Sequence, residues 1–509
     1  MSDHPDNEIL SVKPTLDKDL SKINLMEQAS GSLGRSLALP GAALVFIVLT
    51  AVITTGFTSG QPGSLMIAAA AALGAYMALN IGANDVANNV GPAVGSKALS
   101  LTGALIIAAI CEGAGALLAG GDVVGTISKG IVDPSSVSDP RIFTILMMSA
   151  LVAAAVWVNL ATFIGAPVST THSVVGGVAG AGIAAAGLMA VDWGAMSRIA
   201  ASWVISPVLG GIIAAAFLAF IKLAIIYRED KIAAARRWVP VLIAIMAGAF
   251  GAYLALKGLK KITFVKEAID GDVLRALAVG GVAAIVTWLI SAPLIRKQSE
   301  GMENRNQSLR VLFKIPLIIS AALLSFAHGA NDVANAIGPL AAIVSTVETG
   351  LVEAKVSIPL WVMFIGALGI SFGLALFGPK LINMVGEQIT KLNPMRAFCV
   401  ALSAAITVII ASWLALPVSS THIAVGGVFG VGFFREWFTK HSKRRLEYVR
   451  KQAGRRSMDE PIQVNPAVRR HRRLVRRHHF MTIIAAWLIT VPAAALLSGG
   501  TFLLLNAVL

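Results

Sequence analysis

From residue 38 onward the chain is a succession of apolar stretches, at 38–58, 65–82, 98–120, 141–165, 172–190, 197–226, 239–256, 275–295, 311–327, 333–346, 357–378, 396–416, 421–434 and 481–507. A helix needs roughly 20 apolar residues to cross a bilayer, and most of these stretches have them. Water-soluble domains rarely organise one core beyond about 300 residues. This chain has 509 residues, 56% of them hydrophobic and only 14% charged. Its 48 glycines would weaken helices in water, whereas small residues let helices in lipid approach closely. The sequence predicts an all-α polytopic membrane protein. Cys111 and Cys399 both sit in apolar runs, which reads as packing and offers no disulfide framework.

Two sequence blocks occur twice and in the same order. GANDVANNVGP at 82–92 returns as GANDVANAIGP at 329–339, and PVSTTHSVVGG at 167–177 returns as PVSSTHIAVGG at 417–427. The spacing from Asp85 to Ser169 is 84 residues and from Asp332 to Ser419 is 87, so the chain is a duplicated half. Trp203-Val-Ile-Ser-Pro207 and Trp487-Leu-Ile-Thr-Val-Pro492 form a third pair. The first half is expected at 38–226 and the second at 311–509, with a two-span connecting segment at 227–310.

Charge in the loops bears on orientation. The segment 435–479 carries fifteen Lys and Arg against four acids, the largest share of a net charge of +15. It lies between membrane segments with no aromatic-studded domain around it, so it reads as a cytoplasmic loop obeying the positive-inside rule and not as a nucleic-acid surface. Residues 1–37 are polar and read as a cytoplasmic tail without a cleavable signal. The basic loops 296–314 and 435–479 correspond to the weakly charged stretches 59–64 and 191–198 of the first half. Equivalent loops of opposite charge character predict two repeats of inverted topology, the arrangement used by alternating-access transporters.

The repeated blocks carry the polar chemistry. An ionised carboxylate at membrane depth costs several kcal/mol unless a cation or donors satisfy it, so Asp85 and Asp332 predict a cation site. Asn88 and Asn335 add neutral oxygens beside them. Hard oxygen ligands suit an alkali cation such as sodium, and the His and Cys spacing of a transition-metal site is missing. Gly82, Gly91 and Pro92, with Gly329, Gly338 and Pro339, predict a broken helix at each motif, tolerated at that depth only where it lines a cavity. Ser169, Thr170 and Thr171, with Ser419, Ser420 and Thr421, read as helix starts inside the membrane. Their hydroxyls and unsatisfied amides, with Asn84 and Asn331, make an anion site for a tetrahedral oxyanion.

Single Ser and Thr residues usually bond only their own helix, but duplication weighs against that reading. Glu112, alone in the span 98–120, is a coupling or gating candidate. His172 and His422 read equally well as core side chains or as functional ones. His328 has Ile81 at the equivalent position and receives no core role. Lys129 and Lys391 read as interfacial lysines. A hydrolase using Ser169 or Ser419 with a histidine is disfavoured, because no orienting acid accompanies them and catalysis needs no second copy. The chain is therefore expected not to be an enzyme.

GANDVANNVGPAVGSKAL with PVSTTH, and SFAHGANDVANAIGP with PVSSTH, resemble the inorganic phosphate transporter family, often called PiT, in the sodium-coupled branch. The resemblance spans roughly 65–215 and 315–507. It implies a homodimeric symporter that imports inorganic phosphate with sodium, holding phosphate between the STTH-type helix starts and sodium at Asp85 and Asp332. No cofactor beyond the co-transported cation is implied. The alternatives are proton coupling and another oxyanion such as sulfate. A multi-pass place in the cell membrane follows, the inner membrane in a Gram-negative cell. Two departures stand out: Ala401 occupies a position where relatives often have a glutamate, and the long basic loop lies after the second PVSSTH block instead of between the halves.

The charge reading gives one direct test. Ser457→Cys, in the middle of the basic segment, should resist membrane-impermeant thiol reagents applied outside intact cells. Strong labelling would reverse the topology.

Overall fold

The computed structural model describes residues 37–164, 168–259, 263–352, 358–388, 392–452 and 477–508. The expected N-terminal tail at 1–36, Pro167, Lys391 and residues 453–476 of the basic segment lie outside the described residues, as does the Trp487 side chain.

The described chain is helical apart from one isolated bridge between Val132 and Val191. Among the described residues, eleven helices are long and apolar enough to cross a membrane. In the first half these are α1 (Leu37–Phe57), α2 (Ser64–Gly95), α3 (Leu101–Ala119), α5 (Pro140–Ile164) and α7, whose α-helical part Trp193–Ile221 runs on as a π-turn to Ile226. Short α4 (Gly121–Lys129) follows α3, and α6 (Thr170–Ala186) lies between α5 and α7. The connecting segment supplies α8 (Lys231–Tyr253), short α9 (Thr263–Ile269) and α10 (Val273–Gln298), with α8 and α10 packed on each other. After short α11 (Asn306–Leu312) come α12 (Lys314–Thr349), α13 (Leu360–Gln388), α14 (Pro394–Trp413), α15 (Ser420–His441), α16 (Lys443–Gln452) and α17 (Arg477–Val508).

Local chemistry sets the helix ends. Asp192, Asp230 and Asp272 accept the backbone N–H of Ala195, Ala233 and Leu274 at the starts of α7, α8 and α10. Asn393 does the same for Arg396, with Pro394 in the first turn of α14, where its missing N–H costs nothing. Gly350, at φ 66°, ends α12.

The expected helix breaks at the two GANDVAN blocks are not found. α2 and α12 run through them without interruption, Pro92 and Pro339 lying inside the helices, and the separate stretches 311–327 and 333–346 merge into α12. The residues on both sides of each motif are apolar, small or amide-bearing, and none opposes the helix. Each proline removes only the hydrogen bond to the carbonyl four residues earlier, that of Asn88 or Asn335. The interruptions fall instead at the PVS(T/S)TH blocks. There α5 and α6, and α14 and α15, form two helical hairpins whose tips, Val168–Thr171 and Val418–Thr421, are buried.

The duplication is visible in the packing. α6 lies against α17, the last helix of the other half, and α15 lies against α7. In both pairs, glycines four residues apart bring the backbones into contact. A Cβ added at Gly176 or Gly180 would meet the backbone of Val491 or Ala495, and one at Gly426 or Gly430 would meet that of Pro207 or Gly211. Likewise α2 packs on α13 and α12 on α3. Gly82 abuts the backbone of Ile370 and Gly373 that of Leu79, just as Gly329 abuts Glu112 and Gly115 abuts Phe326. Each of these pairs thus takes one helix from each half.

Because lipid offers no hydrophobic drive between helices, these close approaches are a main source of association. Gly180→Val and Gly430→Val should each force the helices apart and cost about 2 kcal/mol or more, read as a lower midpoint of thermal unfolding in detergent. Gly281→Val, at a position where an added Cβ meets nothing, should leave the midpoint within error.

Candidate functional site

The two uninterrupted motif helices and the two hairpin tips meet in one buried cluster. Asp85 and Asp332 are each 1% exposed. At the tips, Ser169 and Ser419 cap α6 and α15 by accepting the backbone N–H of His172 and His422, at 3.1 and 3.3 Å. These caps turn the following hydroxyls toward the motif helices. Thr170 Oγ1 donates to Asp85 Oδ2 at 3.1 Å, and its counterpart Ser420 Oγ donates to Asp332 Oδ2 at 3.3 Å.

Further bonds cross between the halves. Thr421 Oγ1 donates to Asp85 Oδ1 at 2.7 Å and accepts from Asn88 Nδ2 at 2.8 Å. On the other side, Asn335 Nδ2 donates to Thr171 Oγ1 at 3.1 Å, and Thr171 Oγ1 donates to the carbonyl of Val418 at 3.0 Å. The motif asparagines Asn84 and Asn331 hold the loops that lead into the tips. Asn84 Nδ2 donates to the Val168 carbonyl at 3.0 Å and to Asp85 Oδ1 at 2.9 Å. Asn331 Nδ2 donates to the Leu416 carbonyl at 3.1 Å and to Ser412 Oγ at 3.0 Å, while its Oδ1 accepts from the Val418 N–H at 3.2 Å.

All twelve residues expected at the phosphate and cation sites therefore come together, and they do so as one hydrogen-bonded assembly. The sequence reading separated an anion site at the hairpins from a cation site at the motifs. The structure joins them, because Thr170, Ser420 and Thr421 of the first bond the carboxylates of the second.

Glu112 is also in this assembly, fully buried on α3, with Oε1 accepting from Asn89 Nδ2 at 2.7 Å. His328 is the residue the sequence reading passed over. It is fully buried at the centre, with Nδ1 3.2 Å from Glu112 Oε2 and Nε2 3.1 Å from Asp332 Oδ2 and 3.6 Å from Asp85 Oδ2. The signal for it was its place one turn before Asp332 on the same helix face. The equivalent positions in the other half-pair are Ile81 and Ile370, matched by the glycine contacts described above. Histidine and glutamate on one side are thus replaced by two isoleucines on the other, and neither polar residue has a repeat counterpart.

The two histidines of the hairpin motifs pack as aromatic rings. His172 lies 3.8 Å from the ring centre of Trp203 and 4.7 Å from that of His422. Trp203 Nε1 donates to the Pro417 carbonyl at 3.1 Å, tying α7 to the opposite hairpin. A surface cavity of about 700 Å³, lined by residues including Tyr227, Arg237, Arg444 and Glu447, contains none of the motif residues.

Thr421 carries the most direct bond between the halves. Thr421→Val keeps the shape and removes both the donor to Asp85 and the acceptor for Asn88. The loss of one buried partner costs about 1–3 kcal/mol, so the unfolding midpoint should fall. Thr421→Ser keeps the hydroxyl and should restore most of it.

Similarity to known proteins agrees with this architecture. Residues 81–498 match the Phosphate transporter family. A Helicobacter pylori protein named "Putative phosphate permease" is 44% identical, the alignment covering 96% of this chain and 99% of that protein. A Pyrococcus abyssi relative with the same descriptive name is 37% identical over 85% of this chain and 96% of its own length. Among solved structures, "The sodium-dependent phosphate transporter" superposes with a TM-score of 0.74 at 34% identity, covering 87% of this chain and 100% of that one. The chain is a multi-pass membrane protein and belongs to the phosphate transporter family.

Proposed function

We propose that the protein imports inorganic phosphate across the cell membrane by symport with sodium, through alternating access of two inverted-topology repeats. The observation that carries this reading is the sharing of hydrogen bonds between the aspartates and the hairpin hydroxyls. A hydroxyl has one proton to donate. While Thr170 and Thr421 donate to Asp85, and Ser420 to Asp332, those protons are committed to carboxylates. A sodium ion coordinated by Asp85 and Asp332, with Asn88 and Asn335 nearby, competes for the same carboxylate lone pairs. It thereby frees the hydroxyls of Thr170, Ser420 and Thr421 to donate to a phosphate oxygen, alongside Ser169, Thr171 and Ser419, which bond neither aspartate. The N-terminal amides of α6 and α15 favour the same anion.

Coupling then follows from competition for shared donors, without contact between the two ions being required. Asn84 and Asn331 act by fixing the tip loops, and Glu112 by holding His328. Each Ser419 or Ser169 hydroxyl also caps its helix, so alanine there removes about 1 kcal/mol of helix stability together with an anion donor. The name of the solved relative supports sodium as the coupling ion. A homodimer in the membrane, with the basic segment on the cytoplasmic side, completes the reading.

Purified protein in liposomes should accumulate labelled phosphate when a sodium gradient is imposed, with arsenate competing better than sulfate. Full uptake on a proton gradient in sodium-free buffer would assign the coupling to protons. Asp85→Asn and Asp332→Asn keep shape and most hydrogen bonds but remove the charge, so each should abolish sodium-driven uptake while the protein stays folded by thermal unfolding. Wild-type uptake in both would remove the aspartates from the coupling site.

A further inference from the structure

We propose that Asp85, Asp332 and Nε2 of His328 form a binding site for a divalent first-row transition-metal cation of the zinc or cobalt class, with Glu112 as the group that orients the imidazole. The three side chains offer ligand atoms that all lie within 4.8 Å of one another. Metal–nitrogen and metal–oxygen distances near 2.0–2.2 Å place neighbouring ligands of a tetrahedral ion about 3.3–3.5 Å apart. The observed separations from Nε2 are 3.1 Å to Asp332 Oδ2 and 3.6 Å to Asp85 Oδ2, close to that value on the two edges that meet at the histidine.

The second observation is the far side of the ring. Nδ1 of His328 faces Glu112 Oε2 at 3.2 Å, and Glu112 is itself held by Asn89. A carboxylate on one imidazole nitrogen, leaving the other nitrogen toward two further carboxylates, is the arrangement that fixes tautomer and direction in histidine metal ligands. Sodium gains little from such a nitrogen, whereas imidazole suits zinc and its neighbours.

A third observation is the surplus of negative groups. Three carboxylates surround one imidazole with exposures of 1% or less, and no lysine or arginine is among the partners described for them. Oδ1 of Asp332 accepts no hydrogen bond, leaving a buried oxygen available to a cation. Bound there, the metal would bridge α2 to α12, with α3 bracing the histidine.

The site shares its aspartates with the sodium assignment but does not rest on it, because its test needs neither a gradient nor transport. Cobalt(II) added to the purified full-length protein in detergent should produce visible ligand-field bands of four-coordinate intensity and raise the unfolding midpoint, and zinc should displace the bands. His328→Gln should abolish the bands. Glu112→Gln should weaken cobalt binding 10- to 100-fold. Replacing His441, His471, His478 and His479 with alanine, which removes the histidines of the basic segment, should change nothing. Absence of bands in the wild type, or bands that survive His328→Gln and vanish with the basic-segment histidines, would overturn the proposal. Should His328→Gln fail to fold, unchanged cobalt affinity in Glu112→Gln would overturn it equally.

Discussion

Two carboxylates buried at membrane depth set the terms for the rest of the molecule. An isolated ionised group there costs several kcal/mol, and Asp85 and Asp332 meet that cost with donors brought from distant parts of the chain. Thr170 follows Asp85 by 85 residues and Thr421 by 336. Those donors reach the centre only because α5 with α6, and α14 with α15, turn back inside the protein. The turns are stable at that depth because Ser169 and Ser419 satisfy amides at the helix starts, and Asn84 and Asn331 satisfy carbonyls of the incoming loops. The hairpins, the caps and the motif asparagines are thus consequences of one electrostatic requirement.

A tight polar centre also demands that the helices around it come close, and glycine makes this possible. Gly82 and Gly329 each stand next to a motif aspartate's turn and let α13 or α3 touch the motif helix backbone. A larger residue would push the helices apart and lengthen every hydrogen bond inside. The glycines of the repeated GAND block therefore serve interhelical contact, whereas the sequence reading assigned them to a break. Conformational freedom and lack of bulk are both reasons to find glycine, and the sequence does not separate them. Continuous helix won because one missing proline N–H is a small loss beside the hydrogen bonds of an otherwise regular turn.

Much else was legible in advance, for identifiable reasons. Apolar length marked the spanning helices, since lipid leaves the backbone no partner but itself. The doubled blocks identified most of the hydroxyls, amides and carboxylates of the central hydrogen-bonded assembly, Glu112 and Ser412 being the exceptions. What escaped was what the doubling could not show. Weighting residues by whether they recur excludes His328, whose counterpart is Ile81, and leaves Glu112 without a partner. Side-chain pairing across helices α3 and α12 is a tertiary fact, and only the packing reveals that His328 and Glu112 stand where Ile81 and Ile370 stand on the other side.

That asymmetry has a mechanical meaning. Two halves with identical centres would give Asp85 and Asp332 identical surroundings, and a shared cation would have no preferred side. Here Asp85 accepts from Asn84, Thr170 and Thr421, while Asp332 accepts from Ser420 and lies closer to His328. The first carboxylate is satisfied by neutral hydroxyl and amide donors from both halves. The second is held within one histidine–glutamate arm and keeps an oxygen without a donor. On the proposed reading, a cation entering between them would meet one carboxylate that must give up hydrogen bonds and another that need give up fewer. The duplicated framework supplies the buried cluster, and the unduplicated pair makes its two sides chemically distinct.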